Sequence, residues 1–117
     1  MPNTEDIKEL IKHDGIIEEF LHIISPLMKH IEGMYLFGSR CRQDWRPDSD
    51  YDILIILKKK DRVIIDQLYD AVMDILLSTG RLVSLKIFAA SEFNRLKSIP
   101  TPFINNVLKE GVRLEGR

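Results

Sequence analysis

Cysteine is almost missing from this chain: Cys41 is the single one among 117 residues. A lone thiol excludes an internal disulfide and any cysteine-rich zinc site, and it suits a reducing compartment. Long apolar runs are missing too. The densest, Ile53 to Leu57, has five residues, against the ~20 that a membrane helix needs. No apolar segment follows a basic start as in a signal peptide. The expectation is a soluble, cytoplasmic protein with no membrane partner. Nor does one sign of charge dominate: 17 basic side chains face 18 acidic ones, for a formal net charge of -1. That balance argues against a protein whose main work is neutralising nucleic-acid phosphates, so a nucleic-acid partner is not expected. Repeats, low-complexity stretches and linkers are likewise absent.

Apolar residues make up 44% of the chain, which is enough for a core. The length suits one domain spanning residues 1–117. Thr4 is placed to cap a helix with Ile7, Leu10 and Ile11 on one side, and Gly15 to interrupt it. Ile16, Ile17, Phe20, Leu21, Ile23 and Ile24 continue an apolar stripe as far as the break at Ser25-Pro26. Leu27, Met28 and Ile31 read as a further helical turn stopped near Gly33. Met34–Phe37 then reads as a short buried strand and Asp50–Leu57 as a second, Ile- and Leu-rich one. Asp61 is placed to cap a long helix with Ile65, Leu68, Tyr69, Val72, Met73 and Leu76 on one face, stopped at Thr79-Gly80. Arg81–Phe88 is a third strand, followed by a short helix capped by Ser91. Thr101-Pro102 opens a last helix that Gly111 ends, and Val112–Leu114 closes the chain as a small strand. The order predicts an α/β (α+β) fold: a short mixed sheet with helices packed on it.

The chemistry is concentrated in Phe37-Gly38-Ser39-Arg40 and, after ten residues from Arg40 to Ser49, in Asp50-Tyr51-Asp52. A strand ending in Gly-Ser lets the backbone approach a bulky anion, because glycine has no side chain in the way. The Ser39 hydroxyl and the turning amides can meet phosphate oxygens. Asp50 and Asp52, two apart on a strand, project from the same face. Paired carboxylates are costly unless a cation neutralises them, and magnesium prefers oxygen ligands and phosphates. An anion cradle beside a carboxylate pair reads as a metal–nucleotide site.

These residues resemble the nucleotidyltransferase superfamily of DNA polymerase β, in particular its minimal stand-alone members. The signature there is Gly-Ser, a ten-residue spacer and Asp-x-Asp, matched here at Gly38, Ser39, Asp50 and Asp52, with Phe37, Arg40 and Pro47-Asp48-Ser49 agreeing in the flanks. The resemblance implies the polymerase-β-like nucleotidyltransferase fold. It implies that Gly38, Ser39 and Arg40 hold a nucleoside triphosphate, for which ATP is a candidate. Asp50 and Asp52 are implied as the catalytic pair, binding one or two Mg2+ ions, with Mn2+ left open. The expected reaction moves a nucleoside monophosphate to a hydroxyl on a small molecule or a partner protein. The resemblance also implies a partner, a small helical HEPN-type protein whose toxin activity this chain would counter as antitoxin. A homo-oligomer is left open.

One departure stands out. Active members of the superfamily usually carry a third carboxylate on the next strand, and Leu82–Phe88 holds no acid. Leu82, Ser84, Lys86 and Phe88 share a face, so Ser84 or Lys86 stands where the acid would be; Glu92 lies just beyond and is considered as a group reaching back. A rival reading is therefore a catalytically silent nucleotide- or partner-binding protein acting by contact. Gln43 also departs, where many relatives carry glycine. Arg42 is balanced between phosphate contact and a solvated loop, and Trp45 between base stacking, partner contact and the core. Cys41 reads as a small buried residue, Lys58–Lys60 as a solvated strand end, and His13, His22 and His30 as surface or interface residues.

Overall fold

The computed structural model describes residues 14–37, 51–99 and 101–116. The first helix, α1 (Gly15–Ile23), is capped by Asp14, whose carboxylate accepts from the amides of Ile16 at 2.8 Å and Ile17 at 3.2 Å. Gly15 thus opens a helix rather than interrupting one; the Thr4 helix expected before it lies outside the described residues. A 3-10 turn over Ser25–His30 then leads directly into β1 (Ile31–Phe37). The strand starts three residues earlier than expected, and Gly33 lies inside it instead of stopping a helix. The ladder to the neighbouring strands overrides the weak helical spacing of Met28 and Ile31. At Gly33 the register slips, and a Cβ there would meet the Tyr35 ring at 3.4 Å.

After β2 (Tyr51–Leu57), Asp61 caps α2 (Arg62–Thr79), as expected, by accepting from the amide of Val63 at 2.9 Å. Gly80 ends α2 in the left-handed conformation, φ 75°, which costs glycine little. Next come β3 (Val83–Ala89) and α3 (Ala90–Lys97). The cap of α3 is Ala89 rather than Ser91, and Glu92 reaches back to the Ala89 amide at 2.9 Å. Thr101 caps α4 (Pro102–Glu110) through the amide of Ile104, and β4 (Val112–Gly116) follows.

The strands form one mixed sheet in the order β3-β2-β1-β4, with β1 antiparallel to β2 and β4, and β2 parallel to β3. Alternation divides the sheet's side chains between two cores. On one face Met34, Leu36, Tyr51, Ile53, Ile55, Val83 and Leu85 pack against Ile17 and Phe20 of α1 and Ile64, Leu68 and Ile75 of α2. On the other, Leu54 and Ile56 pack against Phe93 of α3 and Ile104 and Val107 of α4. Covered on both sides, β2 is apolar almost throughout, which accounts for its unalternating Ile-Leu run. In α2 the buried row is Ile64, Leu68, Ala71, Val72 and Ile75, while Tyr69 and Met73 are about half exposed. The expected stripe is thus rotated. The helix carries two overlapping apolar rows that share Leu68 and Val72, and contact with α1 and the sheet selects one.

Candidate functional site

Of the expected site residues, Asp52 is the one that falls within the described part. Gly38, Ser39, Arg40 and Asp50 lie outside it, as do Cys41, Arg42, Gln43 and Trp45. Asp52 is half-buried near the start of β2, on the face shared with Leu54 and Ile56. Its register partner on one side is Phe37, the last residue of β1 and the one joined to Gly38; on the other side it is Ser84. Paired Cα atoms on adjacent strands lie about 5 Å apart, so the end of β1 at Phe37 lies directly beside Asp52.

The residue between the two acids points the other way. Tyr51 is buried, 3% exposed, and its hydroxyl donates to the Asp14 carboxylate, with oxygens at 2.9 and 2.8 Å. Asp14 therefore caps α1 and holds the strand at Asp52 with the same side chain. The Arg81 guanidinium lies 5.7 Å from the Tyr51 ring centroid, and the Tyr51 amide donates to the Leu82 carbonyl at 3.2 Å. Sequence reasoning missed this support. Asp14 has the look of a cap, but nothing in the order of residues couples it to a tyrosine 37 positions on.

The face shared by Ser84, Lys86 and Phe88 is as expected, and register makes Ser84, not Lys86, the neighbour of Asp52. Glu92 reaches back only as far as the cap of α3 and not to Asp52. It is bound to the amide of Ala89, the register partner of Leu57, five residues beyond Asp52 on β2, or about 16 Å along the sheet. Glu92 also meets exposed Lys60 at 3.4 Å. The Ala89 amide first, and Lys60 after it, hold the Glu92 carboxyl below its ordinary pKa of 4.5. Lys58–Lys60 are exposed at the end of β2, as expected. His22 is exposed, His30 is half-buried, and His13 lies outside the described residues. Among the described residues no group of three His, Cys, Asp or Glu converges as a metal cluster, and no helix is long and apolar enough to cross a membrane.

The model of the family described as polymerase beta, nucleotidyltransferase, matches residues 21–117. This chain belongs to that family. It is a nucleotidyltransferase, similar to two candidate protein adenylyltransferases of Methanocaldococcus jannaschii. One is 34% identical over 102 residues, covering 86% of this chain and 96% of the relative; the other is 35% identical over 107 residues, covering 85% and 95%. Its fold is that of a candidate nucleotidyltransferase from Sulfolobus solfataricus, with a TM-score of 0.52 at 21% identity, spanning 100% of this chain and 91% of that one. A toxin–antitoxin structure with AMP-PNP shares the fold with a TM-score of 0.54 at 17% identity over 86% and 73% of the two chains. So does a complex of a tri-AMPylated HEPN toxin with its MNT antitoxin from Shewanella oneidensis, at 0.50 and 15% over 94% and 73%.

Proposed function

We propose that this nucleotidyltransferase transfers a nucleoside monophosphate, with ATP as candidate donor, to a hydroxyl on a partner protein of the HEPN type, and that it does so as one self-contained domain. The observation that carries the reading is the register: Asp52 stands beside Phe37, the residue that precedes Gly38-Ser39 in the sequence. The names of the relatives and of the fold's solved complexes support a protein as acceptor and AMP as the group moved.

In this mechanism the Gly38 and Ser39 amides, the Ser39 hydroxyl and the Arg40 guanidinium hold the β- and γ-phosphates. Asp50 and Asp52 would act together at the α-phosphate. The Asp52 carboxylate, with Ser84 as its register neighbour on β3 and Asp50 as the second acid, would offer oxygen donors of the kind a hard divalent cation such as Mg2+ takes. That ion would neutralise charge developing on the phosphoryl oxygens. The acceptor oxygen forms its bond to the α-phosphorus as the bond from that phosphorus to the β-bridging oxygen breaks. Pyrophosphate leaves with the electron pair, and the acceptor's proton passes to solvent. Tyr51, fixed by Asp14, anchors the start of β2 and with it the neighbouring Asp52.

Ser84 in place of an acid is the observation behind a second reading, a silent nucleotide-binding partner protein. One experiment separates the two. The chain is incubated with Mg2+, α-phosphate-labelled ATP and the protein encoded by the neighbouring gene, beside an Asp50→Asn/Asp52→Asn variant. Label appearing on the partner with the wild type and at background with the variant is the expected result. Absence of transfer with all four triphosphates, while calorimetry still records Mg2+-dependent binding, would favour the silent protein.

A further inference from the structure

The side of α2 turned away from the sheet carries two features that the transfer reaction does not use. The first is an apolar ridge at i, i+4 spacing: Ile65, Tyr69, Met73 and Leu77. Ile65 is partly buried, but Tyr69 is 49%, Met73 51% and Leu77 79% exposed. Residues four apart on a helix stand one above the next, so this ridge runs about 18 Å along the surface. Single exposed apolar side chains are commonplace, whereas a continuous row is what a facing helix packs into. The second feature is a hollow of about 220 Å3 on the other flank of the helix, walled by Ile23, Pro26, Leu27 and Ala71 and rimmed by Asp70 and Asp74.

The ridge between them decides what fits. Asp66, Asp70 and Asp74 are all exposed and follow one another at i, i+4, a spacing at which like charges repel. Among the described residues, none of the three forms an ion pair or a side-chain hydrogen bond. A second copy of this chain packed ridge to ridge by two-fold symmetry would bring two acid rows together, and a phosphate backbone would be repelled outright. A lysine or arginine side chain suits the hollow on both counts: its aliphatic stem lies along Ile23, Pro26 and Leu27, and its charged head meets Asp70 and Asp74.

We infer that the outer side of α2 is the docking face for a basic amphipathic helix of a partner protein. The partner's apolar row packs on Tyr69, Met73 and Leu77, and one of its Lys or Arg side chains enters the hollow between α1 and α2. Because α2 packs on the sheet face opposite Asp52, a partner held there leaves the Asp52 face open. The inference does not depend on nucleotidyl transfer and survives the failure of that reading.

The test uses the full-length, 15N-labelled chain and two synthetic helical peptides of about 18 residues, enough to span the ridge. One peptide carries a leucine row flanked by Arg and Lys; its twin has Glu at those flanking positions. The expected result is that the basic peptide shifts amide resonances confined to α2 and the Ile23–Leu27 segment, and the twin does not. Raising salt from about 0.05 to about 0.5 M should weaken binding roughly tenfold or more. Met73→Ala/Leu77→Ala should weaken it about tenfold, and Asp70→Lys/Asp74→Lys should exchange the preference to the acidic twin. Unchanged circular dichroism checks that these surface variants remain folded. Equal binding of the twins, retained preference after the charge exchange, no binding of either peptide, or shifts elsewhere on the surface would overturn the inference. So would a dimer in sedimentation that Met73→Ala/Leu77→Ala dissociates, which would make a second copy the occupant. Contacts between Ile7 or Leu10 methyls and Met73 in the free chain would instead identify this chain's own first residues.

Discussion

Tyr51 interrupts a carboxylate pair with a buried ring, and its hydroxyl ends on a carboxylate that already caps a helix. Removing that hydroxyl by Tyr51→Phe keeps the packing and deletes a hydrogen bond to a charged acceptor. The expected loss is about 1.5–3 kcal/mol in urea unfolding. Asp14→Ala removes both the cap and the tyrosine's acceptor. A double-mutant cycle between the two should therefore return a coupling of about 1 kcal/mol, and strict additivity would deny that the two side chains act together. Glu92 gives a prediction in pH. Its folded pKa is depressed by the Ala89 amide and Lys60, so its contribution is present above the ordinary value of 4.5 and fades as pH falls through the lower folded value. A carbon-detected titration should find the Glu92 midpoint below the ordinary 4.5. Glu92→Gln should abolish this acid-side dependence. At this scale the face shared by Ser84, Lys86 and Phe88 was legible, because spacing alone says which side chains of a strand share a face. The Asp14–Tyr51 link was not, since it joins residues that only folding brings together.

Elements were legible where a local signal closes on itself. Asp61, Gly80 and Thr101 behave at helix ends as their residue types require, and the Ile-Leu run of β2 appears as a strand. Two glycines separate local from non-local causes. Gly80 adopts φ 75° with open space where a Cβ would stand, so its requirement is purely conformational. Gly111 has an ordinary φ of -65°, but a Cβ there would collide with the Val107 carbonyl oxygen. Gly80→Ala should cost about 1–2 kcal/mol, and Gly80→Asn should recover part of it, because asparagine tolerates the left-handed region. At Gly111 asparagine should do no better than alanine, since the obstacle is steric. Thermal unfolding of the four variants checks the contrast. The rotated face of α2 and the early start of β1 were misread for one reason: both sequences suit two local arrangements, and the contacts that choose lie far along the chain.

Across the whole molecule, stability should be graded by position in the sheet. In β2, Tyr51, Ile53, Leu54, Ile55, Ile56 and Leu57 are buried, and the strand is paired on both sides, whereas β4 is an edge. Amide hydrogen exchange should find the slowest exchange in β2, close to the global unfolding limit, and much faster exchange in β4. Equal protection of both strands would contradict the layered arrangement. Asp52 sits near the start of this protected strand, between Phe37 of β1 and Ser84 of β3.

By itself the sequence determined the family and the type of fold, since a Gly-Ser, ten-residue, Asp-x-Asp spacing and a run of capped helices are local patterns that chain order records in full. It also determined that β3 carries no acid. The tertiary structure alone decided that Ser84 rather than Lys86 adjoins Asp52, and that Glu92 lies too far along the sheet to substitute. It likewise decided that Asp14 braces Tyr51 and that Tyr69, Met73 and Leu77 face outward. The physical reason is common to all of them: register, distance and burial arise from pairings between residues tens of positions apart, and one-dimensional periodicity carries no information about those pairings.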